Sequence, residues 1–255
     1  MRARPIVPVE GDKTTGLSHR FSSLTGDDPI CRLKGRQGLR LGIMGGAFDP
    51  IHMAHLVTAE EALTQFGLDQ VIFMPAGHHP QKPRRLAPNE FRYLLVSVAT
   101  AGHHRFVVSR YELDRQQVGY TVDTLEYLKE TLAPDAQVYF VTGADAVLDI
   151  LTWKDPVRVL ELSTLIAATR PGYDLARLQG ALSKLHPRLS GLGSESRVQI
   201  MEIPALAISS SMIRDRLASG RTVRYLVPDP VAQLIEKAGY YAGAGPTHPN
   251  TCTRW

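Results

Sequence analysis

The stretch LRLGIMGGAFDPIHMAH, Leu39 to His55, decides how the rest of the chain is read. It starts as a short apolar run, LRLGIM, that suits a buried strand. It then passes Gly45 and Gly46, and it ends on two histidines, His52 and His55, three positions apart. Glycines directly after a buried strand let main-chain N–H groups approach a ligand closely, and phosphate is the usual ligand for such a nest. A helix that begins near His52 points its positive end at the same place. Both imidazoles then fall in its first turn, on one side. Phe48 and Pro50 read as structural props, and Asp49 as a cap for the turn or helix. No Lys-Ser or Lys-Thr follows the glycines, so this is not a Walker loop. The spacing is also not GxGxxG, and HxxH alone is a weak metal signal, so no metal ligands are assigned.

Working outward, strand and helix patterns alternate. Met53–Gln65 has Leu56, Ala59, Leu63 and Phe66 at helical spacing. QVIFMP is a second strand, Pro88–Ala101 a helix and RFVVS a third strand. Thr121–Leu132 is a helix with Val122, Leu125, Leu128 and Leu132 inward. QVYFVT and STLIAAT are strands, separated by a short helix over Ala144–Leu151. Asp174–Leu185 reads as a helix and RVQIMEI as the last strand. Two helices close the chain, Ser210–Ser219 and Pro230–Ala238, the second with Pro at its start and Gly239 after its end. Short apolar strands alternating with amphipathic helices predict an α/β fold: a Rossmann-like, doubly wound parallel sheet with helices on both faces. Ligands in such sheets bind beyond the carboxyl ends of the strands, where the strand order reverses.

The 255 residues suit a single domain over 39–242. Residues 1–38, rich in Pro, Gly, Ser and charge, read as a disordered extension, 243–255 as a flexible tail, and 186–196 as a loop inside the fold. The net charge of +4 comes from 29 basic and 25 acidic residues. Eight of the basic and four of the acidic residues lie in the first 40, so the remainder is balanced at 21 of each. A neutral body disfavours a nucleic-acid surface. No apolar run approaches the roughly 18 residues of a membrane span, and the start lacks a secretory apolar core, so a cytoplasmic protein is expected. The two cysteines, Cys31 and Cys252, form no CxxC pair and read as reduced thiols.

A second anion signal lies far downstream. In ISSSMIR, Ile208–Arg214, the residues Ser209, Ser210 and Ser211 offer hydroxyls and N–H groups at a helix start, and Arg214 follows one turn in. With both segments on the page, the chain resembles the nucleotidyltransferase superfamily whose signatures are GGxFDPxHxGH and ISSxxIR. One departure is Ala54, where that family usually carries Gly. Ala adds only a methyl, and the expectation is closer packing on the nucleotide with activity retained.

Intermediate segments look like the nicotinate mononucleotide adenylyltransferases, and the similarity runs from Leu39 to Tyr241. PAGHHPQKP follows the second strand where that family has a Pro-rich loop, with Lys82 at its basic position. GYTVDTL resembles the family's SYTxxTL, with Gly119 in place of Ser. VTGADAVLDILTW resembles its GxD segment and Thr-Trp pair, and RPGY, Arg170–Tyr173, also matches.

The resemblance implies adenylyl transfer from ATP to nicotinate mononucleotide, with Mg²⁺ carried on the ATP phosphates. It implies that Gly45, Gly46, Ala47, Phe48, Gly143, Asp145, Arg170, Ile208, Ser209, Ser210 and Ser211 bind ATP. It gives Tyr120, Thr121 and Trp153 to the mononucleotide, with Thr121 near a carboxylate and Trp153 stacked on the pyridine ring. His52, His55, Arg214 and Lys82 carry the catalytic charge. Phosphopantetheine adenylyltransferase and a silent nucleotide sensor are the alternatives, and a homo-oligomer is left open.

Overall fold

A computed structural model describes residues 28–77, 86–115, 118–132, 135–183 and 197–242. Six strands form one all-parallel sheet: β1 (Arg40–Gly46), β2 (Gln70–Pro75), β3 (Phe106–Val108), β4 (Gln137–Gly143), β5 (Thr164–Thr169) and β6 (Val198–Glu202). The order across the sheet is β3-β2-β1-β4-β5-β6, so the winding reverses between β1 and β4. Among the described residues, no helix is long and apolar enough to cross a membrane.

Side-chain alternation along the strands builds two cores. On one face Leu41, Ile43, Ile72, Met74, Val138, Phe140 and Leu165 are buried against three helices, α3 (Thr121–Tyr127), α4 (Ala144–Leu148) and α5 (Pro156–Leu162), and against Leu178 of α6 (Leu175–Ser183). On the other face Met44, Val71, Phe73, Val141 and Ile166 meet α1 (Met53–Gln65), α2 (Asn89–Thr100), α7 (Ser210–Ala218) and α8 (Asp229–Ala238). Helices therefore cover both faces, as the alternation of apolar strands and amphipathic helices predicts.

Three local readings differ. The disordered extension was expected to run to residue 38, yet residues 28–38 belong to the folded body. Asp28 caps a 3-10 turn, Pro29–Leu33, and its carboxylate also accepts from Ser109 Oγ at 3.0 Å and Arg110 N–H at 2.7 Å. Ile30 and Leu33 of that turn are buried in the first core. Five residues are too few to display a period, which is why composition alone misassigns them. The helix from Thr121 is α-helical to Tyr127 and continues as a π turn over Leu128–Leu132. Helix α5 is additional, and its start is an Asp-Pro pair in which Asp155 accepts from the Arg158 N–H. Residues 1–27, the loop over 186–196 and the tail over 243–255 lie outside the described residues.

Arg92 in α2 is wholly buried. Its guanidinium donates to the carbonyls of Ala47 at 2.6 Å, Ala76 at 2.7 Å and Ala87 at 3.0 Å, and to Asn89 Oδ1 at 2.7 Å. It ties α2 to the loops that leave β1 and β2. Removing it strands several buried acceptors, each of which then bears its own desolvation cost. Arg92→Met should lower unfolding free energy by about 3–5 kcal/mol, and Arg92→Lys should recover only part of that because it lacks the planar fork. Urea unfolding of the three proteins checks this; equal midpoints would remove Arg92 from the clamp.

Candidate active site

The turn that joins β1 to α1 sits at the carboxyl end of the sheet, beside the reversal point. Phe48 adopts a left-handed backbone (φ 45°), an unfavourable conformation for an aromatic residue. Packing holds it there: the ring is buried, 5.9 Å from Phe73 and edge-on to the His55 ring at 5.0 Å. The same ring lies over Gly46, where a Cβ would meet it at 3.4 Å. That is an ordinary contact distance, so the ring alone does not require a glycine there. Ala47 and Phe48 stand behind the site and are absent from the lining of both cavities described below.

Asp49 does not cap α1; the N-cap is His52. The Asp49 carboxylate is buried and accepts from Tyr241 Oη at 2.7 Å and from the Ala87 N–H at 3.2 Å. The second motif closes on the same turn. Arg214 donates through Nη1 to the Asp49 carbonyl at 2.8 Å and through Nη2 to Ser211 Oγ at 3.0 Å, and Ser210 Oγ donates to the Pro50 carbonyl at 2.9 Å. Ser209 caps α7 through the Met212 N–H. Two segments about 160 residues apart are therefore in direct contact.

The two imidazoles stack at 3.6 Å with 20° between their planes. His55 Nδ1 accepts the His52 main-chain N–H at 3.2 Å. A neutral His55 then carries its proton on Nε2, so that nitrogen is a donor. His52 is buried, and desolvation pulls its pKa down to about 4, so it is neutral near pH 7. Its Nδ1 is buried without a hydrogen bond.

Two cavities open at this end of the sheet. The larger, about 530 Å³, is lined by residues that include His52, Ala54, His55, Gly143, Asp145 and Arg170. Ile208 lines it too, and Tyr173 donates to Asp145 at 3.2 Å. The smaller, about 360 Å³, is lined by Gly46, Glu112, Gly119, Tyr120, Thr121 and Trp153 among others. Gly45 and Thr142 line both, so the cavities adjoin across the reversal point.

Of the residues read for ATP, Gly143, Asp145, Arg170 and Ile208 line the larger cavity, Gly45 lines both and Gly46 only the smaller, which also holds Tyr120, Thr121 and Trp153. Ser209, Ser210, Ser211 and Arg214 line neither; Ser210 and Arg214 instead secure the turn, Ser211 accepts from Arg214 and Ser209 caps α7. Lys82 lies outside the described residues. Trp153 packs edge-on against Phe140 at 5.8 Å. Tyr120, and not Thr121, is the N-cap of α3, so the Thr121 hydroxyl is not used as a cap. Among the described residues no group of three or more His, Cys, Asp or Glu side chains is arranged to hold a metal ion.

Sequence reasoning missed Thr142, Glu112, Lys154 and Arg92. Thr142 was findable, since it immediately precedes Gly143 of the GxD segment at a strand end. The Asn89–Arg92 spacing, one turn apart on α2, was a weaker signal. Glu112 and Lys154 fall outside any motif, and nothing in the sequence marks them.

Residues 43–216 match the cytidylyltransferase-like family model. The chain is 46% identical over 203 residues to the "probable nicotinate-nucleotide adenylyltransferase" of Moorella thermoacetica, covering 79% of this chain and 91% of that one. It is 47% identical over 207 residues to a protein of the same name from Corynebacterium kroppenstedtii, covering 81% and 92%. Among solved structures it is similar to Plasmodium falciparum nicotinic acid mononucleotide adenylyltransferase complexed with NaAD. The TM-score there is 0.64 at 20% identity, over 80% of this chain and 97% of that one, a likeness of fold. The chain therefore belongs to the nicotinate-nucleotide adenylyltransferase family of cytidylyltransferase-like nucleotidyltransferases.

Proposed function

We propose that the protein transfers the adenylyl group of ATP to nicotinate mononucleotide, giving the deamido dinucleotide and pyrophosphate, a step of NAD biosynthesis. The observation that carries the reading is the pair of cavities meeting over Gly45, one walled by the imidazole pair and one by Trp153 and Thr121. A nucleotide in each places both phosphate ends at the same glycine.

The mononucleotide phosphate oxygen attacks the α-phosphorus of ATP in line. A new P–O bond forms, the bond to the β-phosphate oxygen breaks, and pyrophosphate leaves with the electron pair. The nucleophile is already an anion, so no general base is needed. Catalysis reduces to positioning and to stabilising charge on the transferring phosphoryl group. His55 donates from Nε2 to the phosphates. His52 starts neutral and gains basicity when an anion arrives beside it. Asp145 accepts from ribose hydroxyls, with Arg170 in the same cavity. Arg214, fixed on the turn, and Lys82 are assigned to the triphosphate tail.

The donor set suits Mg²⁺ that arrives on ATP. Asp145 is the one carboxylate lining the larger cavity among the described residues, too few for an all-protein cage. Thr142 is the side chain that could share such an ion with the phosphates, and the ion would supply charge neutralisation on the phosphate oxygens.

Pyrophosphate release with ATP and each of nicotinate mononucleotide, its amide and phosphopantetheine tests the reading. The first acceptor should be best. Greater turnover with phosphopantetheine would overturn it, and release with none would point to a nucleotide sensor. His55→Ala should cut kcat about 10²–10³-fold while leaving the thermal unfolding curve in place; near-full turnover would take His55 out of the mechanism. Trp153→Ala and Thr121→Val should each raise KM for the mononucleotide about tenfold with KM for ATP nearly unchanged. Matching losses for both substrates would contradict the division of the two cavities.

A further inference from the structure

Glu112 is a buried carboxyl that the reaction above does not use. It follows β3 and lines the smaller cavity. Gly77 lies against its main chain so closely that a Cβ there would collide with the Glu112 carbonyl. The backbone of Glu112 is thus locked against the loop leaving β2. One carboxyl oxygen is committed, since Thr124 Oγ1 of α3 donates to Oε1 at 2.8 Å. The other, Oε2, lies 3.0 Å from where a Cβ on Gly119 would stand. Gly119 also lines the cavity, and its bare Cα leaves that oxygen uncovered on this side.

The orientation of a bound mononucleotide follows from the cavity walls. Its phosphate must lie at Gly45, where the neighbouring cavity brings the ATP phosphates. Its ring therefore occupies the part lined by Tyr120, Thr121, Trp153 and Glu112. We propose that Glu112 determines the choice between acid and amide mononucleotides, through the proton on Oε2 facing the substituent of the pyridine ring. The inference rests on the assignment of this cavity to the mononucleotide.

A protonated Oε2 donates a hydrogen bond to a nicotinate carboxylate. An ionised Glu112 repels that carboxylate and accepts from the N–H₂ of the amide instead. While Thr124 donates to Oε1, a protonated carboxyl that keeps this bond carries its proton on Oε2. Burial pushes the Glu112 carboxyl up to about 7, within the range where the switch operates. The charged groups around it are Arg115, which favours ionisation, and Asp123 of α3, which opposes it. Asp123 is itself paired with Lys154 at 2.9 Å, and Asp149 lies on the cavity wall beyond. The pressure from Asp123 is thereby reduced, and burial remains the largest cause.

The sign is definite: below the raised pKa the carboxyl is neutral and the acid is favoured, and above it that advantage is lost. The ratio of kcat/KM for nicotinate mononucleotide over its amide should fall about tenfold from roughly pH 5.5 to pH 8.5, the effect of one like charge in a partly hydrated cavity. Titration of the substrate phosphate is common to both and cancels in the ratio. Glu112→Gln keeps a donor but cannot titrate, so its ratio should be level across the range. Isothermal calorimetry in two buffers of different ionisation enthalpy gives a readout independent of turnover. Near pH 7.5 the wild type should take up more protons on binding the acid than the amide, and Glu112→Gln should show no difference. A wild-type ratio constant within about twofold, or a Glu112→Gln ratio with the wild-type slope, overturns the inference while the adenylyl-transfer reading stands. Absence of turnover and of binding with both mononucleotides overturns that reading and this inference together.

Discussion

The turn over residues 46–52 is the constraint from which the site follows. It places three main-chain carbonyls, those of Ala47, Asp49 and Pro50, where bulk water is largely excluded. Each is met by a side-chain donor from another part of the chain: Arg92 of α2, Arg214 of α7 and Ser210 of α7. The Asp49 carboxylate takes a fourth tie, from Tyr241 beyond α8. Hydrogen bonds from guanidinium groups contribute about 1.5–3 kcal/mol each, comparable with the roughly 1–3 kcal/mol that a non-glycine left-handed residue such as Phe48 costs. The strained conformation persists because donors from far down the chain close around it.

The clamp explains how a parallel sheet yields two adjoining binding spaces. At the reversal of strand order the connections leave β1 and β4 in opposite directions, and a crevice remains between them. The first turn of α1 projects His52 and His55 to one side of that crevice, and the start of α3 projects Tyr120 and Thr121 to the other. Stacking of the imidazoles and the bond from the His52 N–H fix the donor direction of His55 before any ligand arrives. Such groups need little rearrangement at the moment of reaction.

Much of this was legible in the sequence. Strands whose centres are apolar runs, such as VIFMP in QVIFMP and LIAA in STLIAAT, read as buried on both faces, and the helices between them carry one apolar stripe each. Those two facts determine the sheet and the end at which a ligand binds. The illegible parts are those where a single side chain does the work. Asp28 anchors a five-residue turn that has no period, and Arg92 sits in an otherwise ordinary amphipathic helix, where an arginine reads as solvated. Arg214 was legible as a cation, yet not as a donor to the Asp49 carbonyl, because that contact depends on how the end of the fold closes on its beginning. Gly46 was legible as a close-approach residue, and it lines the smaller cavity.

The two cavities differ in how tightly their residues are bound into the rest of the fold. The larger is walled by strand ends and by helix starts tied to the clamped turn, so a change there disturbs the turn as well. The smaller has a wall, Glu112 and Gly119, in which the Glu112 main chain lies against Gly77 of the loop leaving β2. These two positions are coupled to each other: a side chain at 119 would press on Glu112 Oε2, and the carboxyl could yield only by turning on its bond from Thr124. In the related segment SYTxxTL a serine stands where this chain has Gly119. A cavity wall arranged in this way can change by the exchange of a pair of residues, while the turn over residues 46–52, with its strain and its distant donors, stays as it is.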